Sequence, residues 1–142
     1  MESAGKEFLY KELSYKIVGL CMEIQKEYGS FHRESIYHNV LKEKLEKENI
    51  IHLSKPMVKV FSKGTGNKLG YYVPDFLVEN KIMVELKAKA VVFKCDEIQL
   101  SEYIKTTQYE VGYLINFGVM PLYFKRIIYT NDKKNLLLSA KN

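Results

Sequence analysis

The run YYVPDFLVENKIMVELKAKA, Tyr71 to Ala90, decides how the chain folds. Residues 71–78 and 82–88 are short and rich in Val, Ile, Tyr and Phe, and the turn-prone Glu79-Asn80-Lys81 separates them, so the spacing predicts a β-hairpin. Side chains directly opposite in an antiparallel pair share a face. If the strands pair about Asn80, or a bulge at Pro74 corrects a two-residue turn, Asp75 lies opposite Glu85. Glu85 and Lys87 are two apart on one strand and share a face whatever the turn does. The other face of that strand is Ile82, Val84, Leu86 and Ala88, an apolar surface that belongs to the core. The hairpin thereby gathers two carboxylates and a lysine into one small space, a candidate metal and general-base site.

Upstream, Leu13, Ile17, Leu20, Cys21, Ile24 and Tyr28 recur with a helical period from Leu9 to Tyr28, and Gly29 is a suitable stop. Glu23 sits at the border of that stripe. The expectation is that it faces the surface of Asp75 and Glu85, against the plainer reading of a solvated helix glutamate. Ile36, Tyr37, Val40, Leu41 and Leu45 mark a second helix to about Asn49, with a Lys/Glu-rich outer face. Lys55 to Ser62 predicts a strand. Gly64-Thr65-Gly66-Asn67 predicts a hairpin loop rather than a phosphate cradle, because no helix pattern follows it. Beyond the hairpin, Leu100, Tyr103, Ile104 and Thr107 share one helical face over Asp96 to about Thr107, with Asp96 as its cap. Val111 to Phe117 and Leu122 to Thr130 read as strands. The predicted order is helix, helix, three strands, helix, two strands.

A chain of 142 residues is long enough for one domain with a two-layer core. The expectation is a single unit over residues 1–142, with 1–8 and 131–142 peripheral. No apolar stretch approaches the length of a membrane span, so no membrane partner is expected. The first twelve residues carry three acids and no apolar core, unlike a signal peptide, which makes a cytoplasmic location the expectation. Cys21 and Cys95 form no Cys-x-x-Cys, and His32, His38 and His52 lack paired ligand spacing, which argues against zinc and a disulfide framework. A net charge of +5 helps attract a polyanion but by itself selects no function.

Hard divalent cations take oxygen ligands, and two convergent carboxylates with a nearby main-chain carbonyl leave positions open for water and a phosphate oxygen. Lys87 can orient that water or offset charge in the transition state. Pro74-Asp75, a short apolar run, and Glu85-Leu86-Lys87 resemble the signature of the PD-(D/E)xK nuclease superfamily. Gln99-Leu100-Ser101-Glu102-Tyr103 resembles the Gln-x-x-x-Tyr motif of its RecB-like and Cas4-like branches. More closely, Gly19 to Glu23, Glu34-Ser35-Ile36-Tyr37, PDFLVENKIMVELKA, QLSEYIK and GYLINFG are similar to the GxxExxY family placed in that superfamily, across about Val18 to Tyr129. One departure is Phe31, where that family's motif has glycine three residues before Glu34.

The resemblance implies an α/β, restriction-endonuclease-like α/β/α core with a central mixed sheet flanked by helices. It also implies a nuclease site of Asp75, Glu85, Lys87, Glu23 and Gln99. Mg²⁺ or Mn²⁺ would be held by Asp75, Glu85, the Leu86 carbonyl and Glu23. Nucleic acid, DNA or RNA, is the implied partner, with a homodimer left open. The competing reading is a non-catalytic nucleic-acid-binding or scaffold subunit that retains the fold. An acyl or glycosyl hydrolase lacks support, since there is no Gly-x-Ser-x-Gly and a carboxylate-pair mechanism gives the lysine no task.

Overall fold

The computed structural model describes residues 8–136. In chain order its elements are α1 (Lys11–Tyr28), α2 (Glu34–Lys47), β1 (His52–Ser54), β2 (Val58–Phe61), β3 (Lys68–Tyr72), β4 (Phe76–Val78), β5 (Ile82–Lys87), α3 (Lys94–Thr106), β6 (Val111–Asn116) and β7 (Tyr123–Ile128). A 3₁₀ turn, Asn131–Lys133, follows. Of the termini expected to be peripheral, residues 1–7 and 137–142 lie outside the described residues.

The five-stranded sheet has the order β1-β4-β5-β6-β7, and β2 and β3 form a separate two-stranded ribbon. Only the central pair β5–β6 is parallel, and the intervening α3 supplies the long crossover such a pair requires. Strand alternation sorts the side chains into two cores. Ile82, Val84 and Leu86 of β5, with Val111, Tyr113 and Ile115 of β6, pack against Ile17, Leu20, Cys21 and Ile24 of α1 and Tyr37, Leu41 and Leu45 of α2. Met83 of β5 and Leu114 of β6 face the other way, against Leu100 and Ile104 of α3 and Val58 and Tyr72 of the ribbon. Gly112 lies under α3, where a Cβ would come within 2.9 Å of Ile104 Cδ1, so its lack of a side chain lets that helix approach the sheet. The layers are therefore α1 and α2, the mixed sheet, and α3 with the ribbon.

The central hairpin forms about Asn80, with Phe76 opposite Val84, Leu77 opposite Met83 and Val78 opposite Ile82. Glu79 and Asn80 both take left-handed backbone conformations, φ 51° and 53°, which close the three-residue turn.

Three expectations require correction. Residues 71–78 are not one strand: β3 ends at Tyr72 in the ribbon and β4 begins at Phe76 in the main sheet. Pro74 has no N–H to give to a ladder, so pairing stops there and the chain changes sheets. A short strand, β1, precedes the predicted one and pairs with β4 at the sheet edge. Asp96 does not cap α3, which starts at Lys94 after Phe93. Its carboxylate instead accepts a hydrogen bond from Lys89 Nζ at 2.7 Å. The Gly64 to Asn67 segment is the loop of the β2–β3 hairpin, as expected, with the Ser62 hydroxyl accepting from the Gly64 and Thr65 N–H groups.

Candidate active site

Asp75 stands where the chain crosses from the ribbon to the sheet, one residue before β4. Extending the β4–β5 register by one residue places it opposite Glu85. The two residues complete the ladder with side chains. Asp75 N–H donates to Glu85 Oε1 at 2.9 Å, and Leu86 N–H donates to Asp75 Oδ2 at 2.8 Å. On the other side, the Asp75 carbonyl accepts from Lys55 N–H at 2.9 Å. The Asp75 side chain is thus fixed at the sheet end, 14% exposed, and the two acids converge as the hairpin register predicts.

Two negative groups so placed are costly while both are ionised. Burial raises the Glu85 pKa to about 7, and the charge of Asp75 pushes in the same direction. Interaction with the Tyr72 phenol and the Asp75 N–H opposes the rise without cancelling it. Tyr72 itself is buried beside Glu85, and burial together with the Glu85 charge raises its pKa. Its ring stacks on Tyr103 of α3, with centroids 3.6 Å apart. The tyrosine of the Gln-x-x-x-Tyr motif therefore supports the floor beneath Glu85.

Lys87 follows Glu85 on the same face at the end of β5. Its main chain is locked, because Phe117 N–H donates to the Lys87 carbonyl at 2.8 Å. No ion pair holds its ammonium among the described residues, and it is close enough to Glu34 to favour that carboxylate's charged form. Gln99 is exposed on α3, one turn before Tyr103, and hydrogen-bonds to neither acid.

Glu23 is not brought to this pair. It is 61% exposed on α1 and forms an ion pair with Lys44 of α2 at 3.3 Å. The cause is the sheet's alternation: α1 packs on the Ile82, Val84 and Leu86 face, and Glu85 and Lys87 project from the opposite one. Two other residues of α2 take its place beside Asp75. His38 Nδ1 lies 3.4 Å from Asp75 Oδ1, and His38 Nε2 is 2.8 Å from the Ser54 hydroxyl. Burial lowers the His38 pKa, with Asp75 resisting. Glu34, one turn earlier, has its pKa raised by desolvation and then by Asp75, while Lys87, Lys55 and Lys89 act the other way. These groups border an open cleft of ≈ 440 Å³ lined by Glu34, His38, Ser54, Lys55 and Asp75. Tyr37, next in the Glu34 motif, is structural. It is fully buried, donates its hydroxyl proton to Gly29 O at 2.6 Å and stacks on Phe117.

Sequence reasoning also passed over Asn116, which is 2% exposed at the end of β6 and opposite Lys87 in the register. Its Oδ1 accepts from Lys89 N–H at 3.0 Å and Gly118 N–H at 2.9 Å, and its Nδ2 donates to the Lys89 and Val91 carbonyls. Three of the amide's four hydrogen bonds go to the segment leaving Lys87, and the fourth goes to Gly118. Gly118 completes the clamp, since a Cβ there would sit 2.2 Å from the Lys89 carbonyl oxygen. The available signal was an amide inside the otherwise apolar run VGYLINF.

No three His, Cys, Asp or Glu side chains converge as ready-made metal ligands among the described residues. The donor set still fits a hard divalent cation: two adjacent carboxylates, one of them with its pKa raised, with the Leu86 main chain between Glu85 and Lys87. Asp75, Glu85 and the Leu86 carbonyl are the groups that would hold it.

A mixed sheet between helices, with an acid pair and a lysine at the end of its central hairpin, defines a restriction-endonuclease-like α/β protein. Residues 11–127 match the family model of the PD-(D/E)XK nuclease superfamily, and the chain belongs to that superfamily. Its members are generally nucleases and typically use divalent metals. No curated protein matches the chain. A solved structure described as the crystal structure of SSO0001 is similar at 21% identity and a TM-score of 0.48. The similarity covers 92% of this chain and 63% of that one. No helix among the described residues is long and apolar enough to cross a membrane.

Proposed function

We propose that the chain, as one domain, is a Mg²⁺- or Mn²⁺-dependent nuclease of the GxxExxY type that hydrolyses phosphodiester bonds of DNA or RNA in the cytoplasm. The observation that carries this reading is the reciprocal engagement of Asp75 and Glu85, with the Glu85 pKa raised to about 7 by burial and by the charge of Asp75. A bound divalent cation supplies Lewis-acid polarisation of the phosphoryl group and a lowered pKa for attacking water. The protein's own groups do the rest. Asp75 and Glu85 are anchored through main-chain N–H groups, so little reorganisation is needed on binding. Lys87, whose backbone Phe117 fixes and whose exit Asn116 clamps, orients the water or stabilises charge on the phosphate. Gln99 lies on the rim of α3 available to substrate. His38 positions Asp75 from the side of α2.

The test is incubation of the purified protein with labelled DNA and RNA in the presence of Mg²⁺, Mn²⁺ or a chelator. Strand scission with either ion, absent with the chelator, is the expected result. Binding without scission of either polymer under all conditions would overturn it in favour of a non-catalytic subunit.

A further inference from the structure

The ribbon and α3 together form the second layer, and the acid pair occupies one end of it. Tyr72, at the end of β3, lies against Glu85 and is stacked on Tyr103. At the other end, beyond the bulge between Val60 and Phe61, is a cleft of ≈ 280 Å³ whose lining includes Lys63, Lys105, Tyr129, Lys133 and Lys134 and, among the described residues, no acid. Two of these ammoniums attend one ring: Lys105 Nζ lies 5.7 Å and Lys133 Nζ 5.5 Å from the centroid of Tyr129. Lys63 and Lys105 share a single carboxylate at the rim, Glu102, at 2.6 Å and 3.9 Å. Lys134 Nζ donates to the Thr107 and Tyr109 carbonyls at 2.9 Å and 2.7 Å, which ties the segment after the 3₁₀ turn to the end of α3.

Four lysines so close repel one another, with Glu102 at the rim and Glu110 acting on Lys134 as opposing charges. Burial pushes the Lys134 pKa down to about 8, with Glu110 opposing. A chain of phosphates would relieve that repulsion and release its own counterions on binding. An aromatic ring among cations also suits a nucleic acid strand, where a base can meet the ring while phosphates meet the ammoniums.

We propose that this lysine cleft is a second binding site, for the phosphates of a nucleic acid strand whose scissile bond lies at the acid pair. It rests on the nuclease reading above and adds a minimum substrate length. Val58 pairs with Tyr72, and Ser62 is four residues further along. At ~3.3 Å per residue the cleft lies about 13 Å from the Tyr72 end, or about four nucleotides at the ~3.4 Å rise of a duplex strand. A dinucleotide or small aryl diester cannot reach it. A long strand can.

The experiment compares the wild-type protein with a K63A/K105A/K133A variant, leaving Lys134 to hold its segment. Affinity for a fluorescent 20-nucleotide DNA strand is read by anisotropy with a chelator present, at several salt concentrations. Hydrolysis of bis(p-nitrophenyl) phosphate with Mn²⁺ is read separately. The variant is expected to bind the strand about tenfold or more weakly, with a salt slope shallower by ~2, as for the loss of about three phosphate contacts at ~0.7 each. Small-diester hydrolysis should be unchanged. Unaltered strand affinity and salt slope would overturn the proposal. If wild-type protein hydrolyses no diester yet the variant loses strand binding, the nuclease reading fails and this site stands. Should the triple variant not fold, Lys133→Ala alone is expected to lower the slope by ~0.7, and an unchanged slope in it is equally decisive.

Discussion

Replacing Asp75 with Asn is expected to lower metal-dependent phosphodiester cleavage about 10³-fold or more, at or above the upper end of what losing one electrostatic stabiliser costs an enzyme. The reason is the double duty of this side chain. One oxygen accepts from Leu86 N–H, and the other faces His38 across the cleft. An Asn oxygen can keep the first contact, so β4 and β5 should stay in register. The negative charge that a divalent cation needs is gone. With Asp75 neutral, Glu85 also loses a neighbour that raises its pKa. The variant should therefore fold, remain at least as stable as wild type without metal, and be inactive. Activity within tenfold of wild type, measured on the same labelled strand, would remove Asp75 from the reaction.

The second large effect is on stability against pH, in metal-free protein. Glu85 has a folded pKa of about 7, against its ordinary 4.5. A carboxyl whose folded pKa is raised binds its proton more tightly in the folded chain. Its contribution is fully present below about pH 4.5 and is lost as pH rises through about 7. The loss is on the order of 3 kcal/mol for a mostly buried group. His38, its pKa lowered by burial, acts in the opposite sense, so the raw pH profile mixes the two. The clean quantity is the difference between wild type and Glu85→Gln. Urea midpoints with a chelator should show the wild type losing stability relative to Glu85→Gln between pH 5 and pH 8. Parallel profiles would mean that Glu85 carries no shifted proton.

Much of this was legible before any coordinates, and the parts that were not have local causes. The Glu79-Asn80-Lys81 turn and the alternation around it left two pairings that bring Asp75 opposite Glu85, and the hairpin adopts the one about Asn80. The break at Val73 to Asp75 was also written in the sequence, as Pro74, but the apolar residues on either side masked it as one strand. Strand β1 was harder. It has three residues, Leu53 points to solvent, and no period can be read from so short a run. Glu23 shows a different limit. Helical spacing says that a residue lies at the border of a stripe, but not on which side of the sheet the helix will pack. Here α1 covers the face that Glu85 does not share. His38 carried a usable signal, since it shares the helical face of Leu41 and Leu45 with Glu34 one turn before it, a polar pair at the end of an apolar stripe. Lone histidines on such faces are usually satisfied within the core, and only the fold shows that Asp75 arrives opposite this one.

The central claim is that Asp75 and Glu85 together make a divalent-cation site, and calorimetric titration of Mn²⁺ into the metal-free protein at pH 7 tests it most directly. Saturable binding by the wild type, weakened at least tenfold in both Asp75→Asn and Glu85→Gln but not in Glu23→Gln, is the predicted result. Equal binding heats in all four proteins, or none in the wild type, would contradict it.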